Sequence, residues 1–119
     1  MRRVLEFYKS LDGRCPVEDF LNSLVPKDAR KVTWGLALLE DLEIIPGTYL
    51  RKIVNAEGIW EYRMQSGTNV YRIFCFFSEN STIVLTHGFT KKSQKTPKAE
   101  IEKAKIYKRS YLSRRTHYE

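Results

Sequence analysis

Apolar residues recur along this chain at two spacings, and the change from one to the other divides it. After Pro16, the residues Val17, Phe20, Leu21 and Leu24 fall at i, i+3, i+4 and i+7, one face of a helix over residues 15–24. Pro16 suits a first helical position, and Glu18 and Asp19 suit the positive end of the helix dipole. A second helical pattern runs from Pro26 to about Glu43. It carries one stripe of Ala29, Val32, Leu36 and Leu39 and another of Trp34, Leu38 and Leu42, which predicts packing against two neighbours. Pro46-Gly47 marks the turn that ends it.

From residue 49 the spacing changes to that of strands. "YLRKIV" reads as one. "GIWEYRMQ" alternates, with Ile59, Glu61, Arg63 and Gln65 on one side and Trp60, Tyr62 and Met64 on the other. "SGTN" is a hairpin turn, and "VYRIFCFF" and "TIVLTHGF" are two more strands across the turn "SENS". "RRVLEFY" near the start reads as a first strand. "TPKAEIEKAKIYKRSYL" reads as a last helix, with Thr96 as its cap and Pro97 as its first residue. The order predicts one α+β domain over residues 1–119: a small twisted antiparallel sheet with two N-terminal helices packed on it and a basic C-terminal helix.

Charge changes this picture. The net charge is +7, and Lys and Arg balance Asp and Glu from Met1 to Leu85, so the whole excess lies from Thr86 onward. That asymmetry points to a polyanionic partner, nucleic acid above all, against the plainer reading of a solubilising face. No apolar run approaches the roughly 20 residues of a membrane span, and "MRRVLEFYKS" lacks the apolar stretch of a signal peptide, so the expectation is a cytoplasmic protein. Cys15 and Cys75 have no metal-like spacing and read as free thiols in a reducing compartment.

Candidate chemistry gathers in two places. Arg63 and Arg72 flank one hairpin turn, which brings them near each other across a ladder. An arginine inside "VYRIFCFF" needs either a carboxylate, with Glu61 the obvious partner, or an anionic ligand such as a phosphate. Then "THGFTKKSQKTP" sets Lys91, Lys92 and Lys95 at a strand end, where they can project over the same face and stabilise charge on a phosphate. His87 is the natural general base by pKa, although a lone histidine at a strand end is more often structural; His117 is the only other histidine. Tyr107, Tyr111 and Tyr118 interleave with Lys103, Lys105, Lys108, Arg109, Arg114 and Arg115, a pattern that suits base stacking as well as docking of the helix on the core. There is no Ser-His-Asp order, zinc spacing, Walker loop or dinucleotide fingerprint, so neither a metal nor a nucleotide cofactor is expected.

Taken together, "GIWEYRMQSGTNVYRIFCFF", "TIVLTHGFTKKSQKTPKAEIEKA" and the N-terminal strand with its two helices resemble the phage-derived, HigB-like toxins of the RelE superfamily in type II toxin–antitoxin modules. The resemblance covers essentially the whole chain. It implies a RelE-like fold and ribosome-dependent cleavage of mRNA by attack of a ribose 2′-hydroxyl on the adjacent phosphate. Carried over residue by residue, it implies catalytic roles for Arg63, Arg72, Lys91 and Lys92, with His87 or a lysine assisting proton transfer. It also places Lys95 behind these four and implies a cognate helix-turn-helix antitoxin as partner, while the basic excess of the last third suggests RNA or ribosome contacts by Lys95, Lys98, Lys105, Lys108, Arg109, Arg114 and Arg115. Two rivals stand beside it: a gyrase-poisoning toxin of the same fold, and a non-catalytic nucleic-acid-binding protein. The first does not explain the retained arginines and lysines. The second gives no reason for Arg72 inside an apolar strand.

Overall fold

The computed structural model describes residues 2–79, 81–91 and 97–118. Their order is β1 (Val4–Phe7), α1 (Pro16–Ser23), α2 (Pro26–Asp41), β2 (Leu50–Lys52), β3 (Trp60–Ser66), β4 (Asn69–Ser78), β5 (Thr82–Lys91) and α3 (Lys98–Tyr118). The strands form one sheet in the order β1-β5-β4-β3-β2. From β2 to β5 all neighbours are antiparallel, as expected for strands joined by short turns. At the other edge the expectation fails, because β1 lies parallel to β5, with Val4 opposite Thr82 and Phe7 opposite Leu85. The sheet is therefore mixed. Side-chain alternation fixes which face a residue takes, whereas strand direction is set by how the chain returns through α1 and α2.

Helices cover both faces. On one, Val17 of α1 and Val32, Leu36 and Leu39 of α2 meet Tyr62, Met64, Tyr71, Ile73, Cys75, Ile83 and Leu85. On the other, Ala104 and Tyr111 of α3 close over Phe74, Phe76 and Val84. Pro16 and Pro26 open α1 and α2 as first-turn prolines do, with Glu18, Asp19 and Asp28 in the first turns. The carbonyl of Pro97 accepts from Glu100 and Ile101, which puts Pro97 just ahead of α3; its expected cap, Thr96, lies outside the described residues. Asp28 also ties α2 to the β3–β4 hairpin, accepting from Ser66 Oγ at 2.7 Å and from the Tyr71 hydroxyl. Those two donors, Tyr71 first, hold its carboxyl below the usual range.

Only one stripe of α2 is buried. A Cβ on Gly35 would stand 2.1 Å from Tyr62 Oη, so the helix sits against the sheet where a side chain is missing. The second expected stripe is not in the core: Trp34 is 56% exposed.

Along β5 the register slips at Phe74/Cys75. Cys75 pairs with Leu85 and Phe74 with His87, and Thr86 is the extra residue of a β-bulge. Thr86 Oγ1 donates to the carbonyl of Phe74 at 3.1 Å. Past the bulge His87, Phe89 and Lys91 stand on the α3 face, opposite Phe74, Arg72 and Val70. Cys15 and Cys75 are free and buried, and burial pushes the Cys75 thiol well up.

Candidate active site

The alternation of β3 and β4 builds the centre of the site. Tyr62 and Met64 point into the apolar layer, so Glu61, Arg63 and Gln65 take the opposite face. Arg63 and Arg72 are direct partners across the β3–β4 ladder, and Arg51 stands opposite Glu61 across β2–β3. Like charges set opposite each other repel, and Glu61 holds them together. Its carboxylate lies 2.7 Å from Arg72 Nη1, 3.4 Å from Arg51 Nε and 3.7 Å from Arg63 Nε. Glu61 and Arg72 have no exposed side-chain surface, while Arg51 is half exposed and Arg63 about a third.

Lys91 completes the group. The bulge puts it on this face, one strand over from Arg72. Desolvation, and then the charges of Arg72 and Arg63, pull its pKa below the usual lysine value. Desolvation lowers Arg72 as well, against the pull of Glu61. Three arginines thus share one carboxylate with Lys91 close by, and the surplus positive charge faces solvent through Arg51, Arg63 and Lys91. A surface of this kind attracts an anion with several oxygens, and arginine forks match phosphate.

The structure separates the remaining candidates. His87 packs on Phe74, Phe89 and Tyr107, with Nδ1 3.2 Å from Thr86 Oγ1 and Nε2 3.7 Å from Glu100. Burial, opposed by Glu100, brings its pKa down to about 4, so it is neutral at pH 7 and a weak base. Phe89, against which it lies, is the residue opposite Arg72. Lys92 and Lys95 lie outside the described residues.

Several cations of α3 are engaged within the molecule. Lys108 donates to the carbonyl of Glu57, and Arg109 pairs with the Glu57 carboxylate at 2.5 Å. Arg114 donates to the carbonyl of Lys9 at 2.6 Å and lies over the Tyr8 ring. Arg115 donates to Tyr111 Oη, and Lys105 pairs with Glu102; Lys98 is exposed. Tyr107 stacks on Tyr8 at 4.7 Å, and Tyr111 donates to Glu6 at 2.9 Å. These two tyrosines dock the helix on the rest of the molecule. The side chains of His117 and Tyr118 lie outside the described residues.

Sequence reasoning missed Arg51. The signal lay in the pairing of β2 with β3, which puts Arg51 opposite Glu61, and neither strand discloses that register alone. Among the described residues no group of His, Cys, Asp and Glu could hold a metal ion, and no helix is long and apolar enough to cross a membrane.

No curated protein matches the chain. The family model for Phage derived protein Gp49-like (DUF891) matches residues 19–109, from the first helix through most of the last and across every residue of the arginine cluster. The chain therefore belongs to the Gp49-like family of phage-derived proteins, a family of the toxin–antitoxin type with RelE- and HigB-like character.

Proposed function

We propose that the protein is the toxin of a type II toxin–antitoxin module and acts as a metal-independent endoribonuclease on mRNA in the ribosome, neutralised by a cognate helix-turn-helix antitoxin. The observation that carries this reading is the convergence of Arg51, Arg63 and Arg72 on Glu61, with Lys91 on the neighbouring strand of the same sheet face. In the proposed reaction a ribose 2′-hydroxyl gives its proton to solvent water as its oxygen attacks the adjacent phosphorus, and the bond to the 5′-oxygen breaks, leaving a 2′,3′-cyclic phosphate and, once the leaving oxygen is protonated, a 5′-hydroxyl. Arg63 and Arg51 hold the non-bridging oxygens as charge builds on them. Arg72, buried behind Glu61, is a positioning residue that fixes the carboxylate between them. Lys91, with its lowered pKa, gives up a proton more readily than an ordinary lysine and suits the leaving oxygen. His87 is too weak a base to activate the 2′-hydroxyl efficiently, which accords with a nuclease that relies on the ribosome to position its substrate. By the family resemblance Lys92 takes part in catalysis and Lys95 in RNA contact, and Lys98, Lys105, Lys108, Arg109, Arg114 and Arg115 supply long-range attraction to RNA.

Expression without an antitoxin tests this. The expected result is growth arrest, with translated message cut and naked RNA cut poorly. Arg63→Ala and Lys91→Ala, each with a wild-type melting curve, should lower the cleavage rate by about a hundred-fold or more. Full toxicity of both folded variants would remove the assignment.

A further inference from the structure

Beside the arginines, β2 ends before β3 does. The last contact is the Arg63 N–H to the carbonyl of Tyr49 at 2.8 Å, and beyond it the edge of β3 continues next to α2. The gap is a cleft of about 440 Å³ whose walls include Lys31, Trp34, Tyr49, Arg63 and Gln65, within the roughly 300–1,000 Å³ of small-molecule sites. Arg63 belongs both to this cleft and to the cationic cluster, so whatever enters the cleft lies beside whatever anion Arg63 holds.

We propose that this cleft receives an unpaired RNA base next to the phosphate at Arg63, with the indole of Trp34 as its stacking platform. The inference deepens the nuclease reading above and rests on it for the position of the phosphate. Trp34 is 56% exposed, although helical spacing would have it buried, and a large ring left in water beside a cation suits a base better than the core. Tyr49, just ahead of β2, also lines the cleft. The Gln65 amide offers both a donor and an acceptor for a base edge. Lys31 supplies a cation for the next phosphate along the strand. Unpaired RNA presents these features together: an anionic backbone, a flat face and a polar edge.

The chain has two tryptophans, so Trp60→Phe leaves Trp34 as the only indole emitter. Titration with a short single-stranded oligoribonucleotide should quench that emission saturably. An abasic ribose-phosphate chain of equal length and charge should act at least ten-fold more weakly. Trp34→Ala should weaken oligonucleotide binding about ten-fold, and Trp34→Phe should recover most of the loss. Trp60 packs edge-on against Phe77 at 5.2 Å; should its replacement disturb the fold, the difference in emission between the wild type and Trp34→Phe gives the same readout. Equal quenching by the abasic chain, or unchanged affinity in Trp34→Ala, would overturn the proposal and leave the cleft to a protein partner. Stacking without cleavage of translated message would keep the base site and remove the nuclease reading. Cleavage with no stacking would do the reverse.

Discussion

The two faces of the sheet are made by the same strands, residue by residue in alternation, yet they are solved differently. Under α1 and α2 the face is filled by apolar side chains: Tyr62, Met64, Ile73, Cys75, Ile83 and Leu85 against Val17, Val32, Leu36 and Leu39. Under α3 the face is divided. One end is a second apolar cluster around Phe74 and Phe76, and the other holds Glu61, Arg63 and Arg72 with Arg51 and Lys91 beside them. Polar contacts help hold the covering helix there, among them Tyr111 to Glu6 and Tyr8 to Ser110 at 3.1 Å. A buried ion group is weak as a stabiliser, because desolvation offsets much of the attraction. The difference teaches that the closed face supplies the stability against which a repulsive cluster on the other face can be maintained.

The comparison can be broken from either side, and the largest effect is expected on the open face. Glu61→Ala removes the carboxylate that Arg51, Arg63 and Arg72 share, with Arg72 fully buried. It should lower stability by about 3–5 kcal/mol in chemical denaturation, and a loss below 1 kcal/mol would show that the arginines do not need it. On the closed face, Gly35→Ala brings a methyl into Tyr62 and Met64. The expected cost is about 1–3 kcal/mol, read from the same denaturation curves. Unchanged stability would mean that α2 can lift off the sheet. At neutral pH the smallest effect belongs to the boundary. His87 has a folded pKa of about 4 against an ordinary 6.5. The unfolded chain therefore binds a proton that the folded one refuses, and stability is fully present above pH 6.5 and declines as pH falls from there toward 4. Measured across that window, His87→Gln should flatten this part of the slope; an unchanged slope would assign it to other groups.

Much of this was legible in the sequence. Periodicity located the helices and strands to within a few residues, apart from the end of α3, which runs past Leu112 to Tyr118, because each buries a face at its own spacing. It also placed Glu61 and Arg63 together on one side of a strand. What it lacked was long-range. The parallel pairing of β1 depends on the return path of the chain, and the role of Arg51 depends on register with a strand it does not adjoin in sequence. Helical spacing places Trp34 in the core, because it cannot tell a buried ring from one left at a cleft. The basic excess of the last third reads as a surface for RNA, whereas Lys108, Arg109 and Arg114 also hold α3 in place. Composition counts charges and does not show what each is paired with.

The extra residue at Thr86 sets a parity. Leu85 and Lys91 are separated by an even number of positions, which in a regular strand would give both side chains to the same face; instead Leu85 lies in the apolar layer and Lys91 beside the arginines. The lysine owes its place to an irregularity of the backbone several residues away. A one-residue deletion near Thr86 would therefore act at a distance, turning His87, Phe89 and Lys91 toward α1 and bringing Gly88 and Thr90 over the arginines. No substitution at position 91 could reverse that. The length of this strand, counted to the residue, is thus as much a part of the site as the side chains that form it.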